Sequence, residues 1–112
     1  MLEEKYWKNL INQSLIRFFI LRVLKNIDQI HGYQLGKEIA SITRDYCRPA
    51  ESTLYPALIQ LQKQGLVQSK TTKINGRTRK VYRLTDKGRT AFRIATKAWN
   101  EILPILQRGT LI

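Results

Sequence analysis

The dipeptide Asn75-Gly76 constrains this chain more than any other feature, because it stands between two runs whose side chains alternate with a period of two. A two-residue turn of type I′ needs positive φ at both central positions, which Asn and Gly tolerate better than other residues. Placing the turn there sets Val67 opposite Leu84 and Ser69 opposite Tyr82, so that Val67, Tyr82 and Leu84 share one face. Turn chemistry and apolar pattern select the same register, and a slip of one residue would turn that face outward. Residues 66–84 therefore read as an antiparallel hairpin.

The segments around the hairpin carry a helical period instead. Ile16, Phe19, Ile20, Val23, Leu24 and Ile27 form one stripe of a first helix, while Leu15, Phe18 and Leu21 make its other side apolar too. A helix apolar almost all round in a small protein needs two partners, its own domain and a second subunit. After the turn-like NIDQIHG, a shorter helix begins near Gly32 and carries Tyr33, Leu35, Ile39 and Ile42. The loop TRDYCRPA follows, and Pro49 biases Arg48 away from helical geometry, which separates the helices. A third helix has Leu54, Ala57, Leu58 and Leu61 as its buried stripe, a cap expected at Ser52 or Thr53, and Gly65 in the position of a C-terminal cap.

Beyond the hairpin, Thr85 offers an N-cap to a long last helix. Phe92, Ala95, Trp99, Ile102 and Leu106 step by alternate threes and fours, the spacing of a coiled-coil seam and hence a candidate dimer interface. Pro104 is expected to kink or end that helix. The order of elements is three helices, a hairpin and a long helix: a mainly α chain with a small β-hairpin.

Charge then narrows the function. The chain has 20 Lys and Arg against 8 Asp and Glu, a formal charge of +12. Residues 63–97 hold eleven of the basic residues against the single acid Asp86. Because those charges alternate with Val, Ile, Tyr and Leu, they belong to a folded basic surface, not to a solvated tail. A polyanionic partner is implied. Cys47 is the lone cysteine, which excludes an internal disulfide and suits an intracellular, cytoplasmic protein. The most apolar run, residues 15–24, is broken by Arg17 and Arg22 and falls short of the ~20 residues that cross a bilayer. The polar, acidic start MLEEKYWK argues against a secretory signal. No cluster of His, Cys or carboxylates is present from which to build an enzyme or a metal site, and no cofactor is expected. His31 reads as a helix-start residue.

Three helices followed by a basic hairpin is the order of a winged helix-turn-helix, in which the third helix enters the major groove and the hairpin reaches the neighbouring backbone or the minor groove. The face of the third helix opposite its leucines holds Ser52, Thr53, Tyr55, Pro56, Gln60 and Lys63, groups suited to phosphate oxygens and base edges. The hairpin adds Lys73, Arg77, Arg79 and Lys80 around its turn. Duplex DNA is the partner these residues fit best. RNA or a protein partner is the alternative.

The motifs HGYQLGKEI (31–39), STLYPALIQLQKQGLV (52–67) and GRTRKVYRLTDKG (76–88), in this order and separation, resemble the PadR family of transcriptional regulators along nearly the whole chain. The resemblance implies a winged helix-turn-helix over residues 1–84 and a C-terminal dimerisation helix over residues 85–112. A single helix after the wing is similar to the short subfamily, where that helix packs with the first helix of the partner subunit. It further implies a homodimeric repressor of palindromic operator DNA, with contacts at Tyr33, at Ser52, Thr53 and Tyr55, and at Arg77, Arg79 and Lys80. Ser52 departs from the glycine that family members often have before Thr-Leu-Tyr. Some short members are similar to multidrug sensors that hold flat aromatic effectors between tryptophans of the last helices; Trp99 stands where such a tryptophan would be, with Phe18 and Arg22 as neighbours. Aromatic residues at helical spacing are more often core, so Trp99 reads first as a seam residue.

Overall fold

In a computed structural model, which describes residues 1–110, the described residues form four helices and one three-stranded sheet. In chain order these are α1 (Glu4–Asn26), β1 (Ile30–His31), α2 (Gly32–Ile42), α3 (Glu51–Lys63), β2 (Val67–Ile74), β3 (Arg77–Leu84) and α4 (Asp86–Thr110). Residues 111 and 112, the end of the expected C-terminal helix segment, lie outside the described residues.

The hairpin has the expected register, with Val67 opposite Leu84 and Ser69 opposite Tyr82. Asn75 (φ 51°) and Gly76 (φ 76°) are both left-handed, as a type I′ turn demands. The alternation in sequence does not show β1, whose two residues are too few to display a period. Ile30 pairs with Tyr82 and His31 with Val81, which gives the strand order β1-β3-β2 and joins the start of α2 to the wing through backbone hydrogen bonds.

One core lies between α1, α2, α3 and the inner face of the sheet. α1 supplies Ile16, Ile20, Val23 and Leu24, α2 Leu35 and Ile39, α3 Leu54, Leu58 and Leu61, and the sheet Val67, Tyr82 and Leu84. Ile20, Leu35, Ile39 and Leu58 are completely buried, each contributing about 2 kcal/mol by burial. On the other side of α1, Leu21 is buried as well, and Phe18 stacks on Phe92 of α4 with ring centroids 5.3 Å apart. The first half of α4 is thus packed against α1. Residues 100–109 are exposed at every position.

Helix ends follow from local hydrogen bonding. Gly65, at φ 76°, lets Leu66 N–H donate to Leu61 O and Gly65 N–H to Gln62 O, a Schellman end for α3. Thr85 caps α4 by accepting from Gly88 N–H at 3.0 Å, while its hydroxyl donates to Gly65 O at 2.7 Å. α2 ends in the same Schellman pattern but with Arg44 (φ 51°) and Asp45 (φ 64°) in the left-handed region.

Two expectations are corrected. α3 does not begin at a Ser52 or Thr53 cap: the extended Ala50 is the cap residue, its carbonyl accepts from Thr53 and Leu54 N–H, and no side chain among the described residues caps the helix. Ser52 and Thr53 lie inside the first turn. Pro56 is therefore the sixth helical residue and removes the hydrogen bond that would reach the Ser52 carbonyl; both residues are exposed, so water can take that carbonyl. Nor does Pro104 end α4, which continues to Thr110. The carbonyl that Pro104 leaves without a donor belongs to Asn100, on a fully exposed stretch where water is again available.

Candidate nucleic-acid interface

The outward row of α3 is Ser52, Pro56, Ile59 and Lys63, all exposed and spaced by 4, 3 and 4 residues. Ile59, half exposed at 51%, is the residue that sequence reading missed. The signal was present: the row opposite the Leu54, Leu58 and Leu61 stripe runs through position 59 as surely as through 56 and 63. Thr53 is exposed beside this row.

Two side chains read as free are engaged. Tyr55 is half-buried against the core, and its ring lies so close to Gly32 that a Cβ there would sit 2.7 Å from its Cε1 and hydroxyl atoms. Tyr55 thus holds the start of α2 against α3. Burial pushes the neighbouring Tyr82 phenol above its ordinary pKa, with Tyr55 adding to the effect. Gln60 is turned toward α1, where its Oε1 accepts from Arg17 Nε at 2.6 Å.

The start of α2, Tyr55 and the wing together wall a groove lined by Tyr33, Tyr55, Thr78, Arg79, Lys80 and Tyr82. Strand β1 is the reason these parts meet, since it pairs directly with β3. Tyr33 is exposed, with Lys37 Nζ 4.6 Å over its ring. His31 caps α2, its Nδ1 accepting from Gln34 N–H at a long 3.4 Å. On β3 the alternation sends Lys80 to the face of Tyr82, and Arg77 and Arg79 to the other. Lys63, Lys73, Arg77 and Lys80 are exposed and Arg79 is half-buried. Among the described residues none of these five has a carboxylate within ion-pair distance, whereas Arg83 faces Asp28 at 3.8 Å and Lys97 faces Glu101 at 3.8 Å. The wing and the end of α3 therefore carry charge that no carboxylate neutralises among the described residues.

The second set of candidates lies on α1 and α4. Phe92, Ala95 and Trp99 are half-buried, while Ile102 and Leu106 are 37% and 53% exposed. Phe18 is brought to Phe92, about two turns before Trp99, and Lys25 Nζ lies 5.4 Å from the Phe92 ring centre. Arg22 is exposed nearby on α1. Among the described residues no group of three or more His, Cys, Asp or Glu could hold a metal ion, and no helix is long and apolar enough to cross a membrane.

Residues 20–94 match the model of the transcriptional regulator PadR-like family. Transcriptional regulator Rv3488 of Mycobacterium tuberculosis is 36% identical over 75 residues, which cover 67% of each chain. Among solved structures, a transcriptional regulator from Clostridium thermocellum superposes with a TM-score of 0.81 at 23% identity, over 89% of this chain and 97% of that one. The protein smu.1704 of Streptococcus mutans does so with a TM-score of 0.73 at 31% identity, over 89% and 92%. Bacillus subtilis PadR, solved in complex with operator DNA, shares the fold with a TM-score of 0.64 at 23% identity, over 73% of this chain and 46% of its own. With its sequence matched from α1 into α4 and the mostly helical winged architecture in common, the chain belongs to the PadR-like family, whose members are transcriptional regulators and not enzymes.

Proposed function

We propose that this regulator is a cytoplasmic repressor that binds palindromic operator DNA as a symmetric homodimer, through α3 and the β2–β3 wing. The observation that carries the reading is the groove in which the start of α2, Tyr55 and the wing cations meet beside the exposed row of α3. Ser52, Thr53 and Tyr55 present hydroxyls to base edges and phosphates, Ile59 suits a thymine methyl, and Lys63, Lys73, Arg77, Arg79 and Lys80 attract the backbone. Tyr33, with Lys37 against its ring, contributes from α2. In this reading residues 1–84 are the DNA-binding unit and 85–112 the dimerisation segment. The exposed Ile94, Ile102, Leu103, Ile105 and Leu106 of α4, with Trp7, Leu10 and Ile11 of α1, are the apolar surface that a second copy would cover. The DNA complex of Bacillus subtilis PadR supports the mode of binding by fold.

Titration of the duplex upstream of the protein's own gene tests this. Affinity should fall steeply with salt, and two half-sites about 10 base pairs apart should be protected. Binding indifferent to salt, stronger binding to RNA in competition, or a monomer in sedimentation would each contradict it.

The Phe18–Phe92 stack, about two turns along α4 from the half-buried Trp99, favours a second, compatible role as a sensor, with a planar aromatic effector held near Phe18, Arg22 and Trp99 at the dimer interface. Planar cationic or phenolic compounds should quench tryptophan fluorescence in the wild type and in Trp7→Ala, but not in Trp99→Ala.

A further inference from the structure

The contact between Arg17 of α1 and Gln60 of α3 changes what Gln60 can recognise. A free glutamine offers one acceptor and one donor group and can pair with both N6 and N7 of adenine. Here the guanidinium Nε can only donate, so the atom facing it must be the amide oxygen, and a charge-assisted bond of 2.6 Å holds it there. Apart from the second lone pair of that oxygen, what remains is the Gln60 amide NH2 and the two terminal nitrogens of Arg17, which are donors. Such an array suits an anion better than the mixed edge of adenine, because the amide oxygen that would pair with adenine is turned toward Arg17.

Its location selects the anion. Gln13, Arg17, Ser52, Thr53, Pro56 and Gln60 line a groove between α1 and α3, on the flank of α3 away from Tyr55 and the wing. Ser52 and Thr53, the hydroxyls at the leading end of α3, therefore share a groove with Arg17. A duplex that reaches those hydroxyls along this flank would bring its backbone near the guanidinium. Arg17 and Gln60 are exposed, and among the described residues no carboxylate lies within ion-pair distance of Arg17. A basic side chain steadied by a neutral amide keeps its full charge for a ligand.

Resting on the DNA-binding reading above, we infer that Arg17, positioned by Gln60, seats a backbone phosphate of the duplex on the α1 side of α3. DNA would then be gripped on both flanks of the recognition helix, by the wing on one and by α1 on the other. The contact reads no sequence; it sets the depth and tilt of α3 in the groove.

The test uses the full chain and two duplexes, one enriched by the wild-type protein from a random library and one of unrelated sequence. Each phosphate neutralised contributes about 0.9 to the slope of log affinity against log salt. Arg17→Ala should lower that slope by about 0.9 for each subunit that docks, on both duplexes, and weaken binding roughly eightfold per subunit at 0.1 M salt. Arg17→Lys should keep the slope. Gln60→Ala should weaken binding less than Arg17→Ala, and the double variant no more than Arg17→Ala alone, since the two act as a unit. Thermal unfolding of each variant checks that the fold is intact. Loss of affinity for the enriched duplex alone with an unchanged slope would mean base reading and would overturn the inference, as would unchanged binding of both. Wild-type protein that fails to bind duplexes in a salt-dependent way would refute the DNA-binding reading itself.

Discussion

Gly88 and Gly109 both lie in α4, and the same substitution should have opposite effects at the two. Helix propensity alone predicts that Gly→Ala gains up to about 1 kcal/mol at an interior position. At Gly109 an added Cβ meets nothing within 4 Å among the described residues, so only that gain remains, reduced by fraying near the helix end. At Gly88 the Cβ would collide with the Leu66 carbonyl oxygen and lie 2.6 Å from Leu84 Cδ1. Neither neighbour can yield cheaply. The carbonyl accepts from Thr85 N–H at 3.1 Å, Thr85 Oγ1 donates to Gly65 O, and Leu84 is 5% exposed in the core. Overpacking costs about 1–3 kcal/mol, and breaking the Thr85 bond adds about 1 more, so after the propensity gain Gly88→Ala should lose roughly 2 kcal/mol. For a domain of this size that lowers Tm by about 8 °C or more. Circular dichroism melts at one fixed protein concentration, needed because association shifts Tm, would measure it. A Gly88→Ala melt at or above the wild-type Tm would refute the steric argument, and a Gly109→Ala loss as large as that of Gly88→Ala would refute the contrast.

Leu58 is completely buried between α1, α2 and the sheet, so Leu58→Ala should cost about 2–5 kcal/mol in denaturant unfolding. Arg44 ends α2 with φ 51°, where glycine carries no steric penalty, so Arg44→Gly should raise stability by about 0.5 kcal/mol after allowing for the looser unfolded chain; a lower Tm would contradict it. Burial pushes the Cys47 thiol above its ordinary pKa, so in the alkaline range the folded state holds a proton that the unfolded state has lost. The Cys47 contribution to stability should therefore be level below about pH 8 and fall as pH rises above it, and Cys47→Ala should flatten that part of the alkaline fall. Tyr55→Phe should keep the fold while weakening DNA binding, whereas Tyr55→Ala should also lower Tm, because the ring packs against Gly32 and the core.

The parts of the fold legible in sequence were those governed by local rules. Asn75-Gly76 dictated the register of the hairpin, Gly65 the end of α3 and Thr85 the start of α4, because each answers to backbone geometry within a few residues. The leucine stripe of α3 was legible for the same reason. What escaped were contacts between elements distant in sequence. β1 exists because β3 has an open edge for Ile30 and His31, a fact absent from NIDQIHG itself. Tyr55 and Gln60 lie on the polar side of α3 by periodicity, yet Gly32 admits the ring of one and Arg17 holds the amide of the other. The outward row of α3 follows from the same period as its leucines, but polarity alone does not mark Ile59 within it, since its side chain is apolar.

The apolar residues on several sides of the second half of α1 each have a physical role. One stripe fills the core, a second carries Phe18 to the α4 stack and leaves Trp7 and Ile11 exposed, and Arg17 extends from the edge toward α3. Farther toward its N-terminus, Asn12 Nδ2 donates to Tyr46 O at 2.8 Å and Lys8 Nζ lies 5.4 Å from the Tyr46 ring centre, so α1 also braces the loop that leads into α3. The exposed apolar residues of α1 and the supports of α3 thus belong to one continuous helix. A helix of 23 residues with a packed face transmits displacement as a rigid rod far more readily than it bends. If subunits pair through α1 and α4, a ligand that shifts that pairing would move both α3 helices as units, altering the distance between them and leaving each one's posture in its own subunit unchanged.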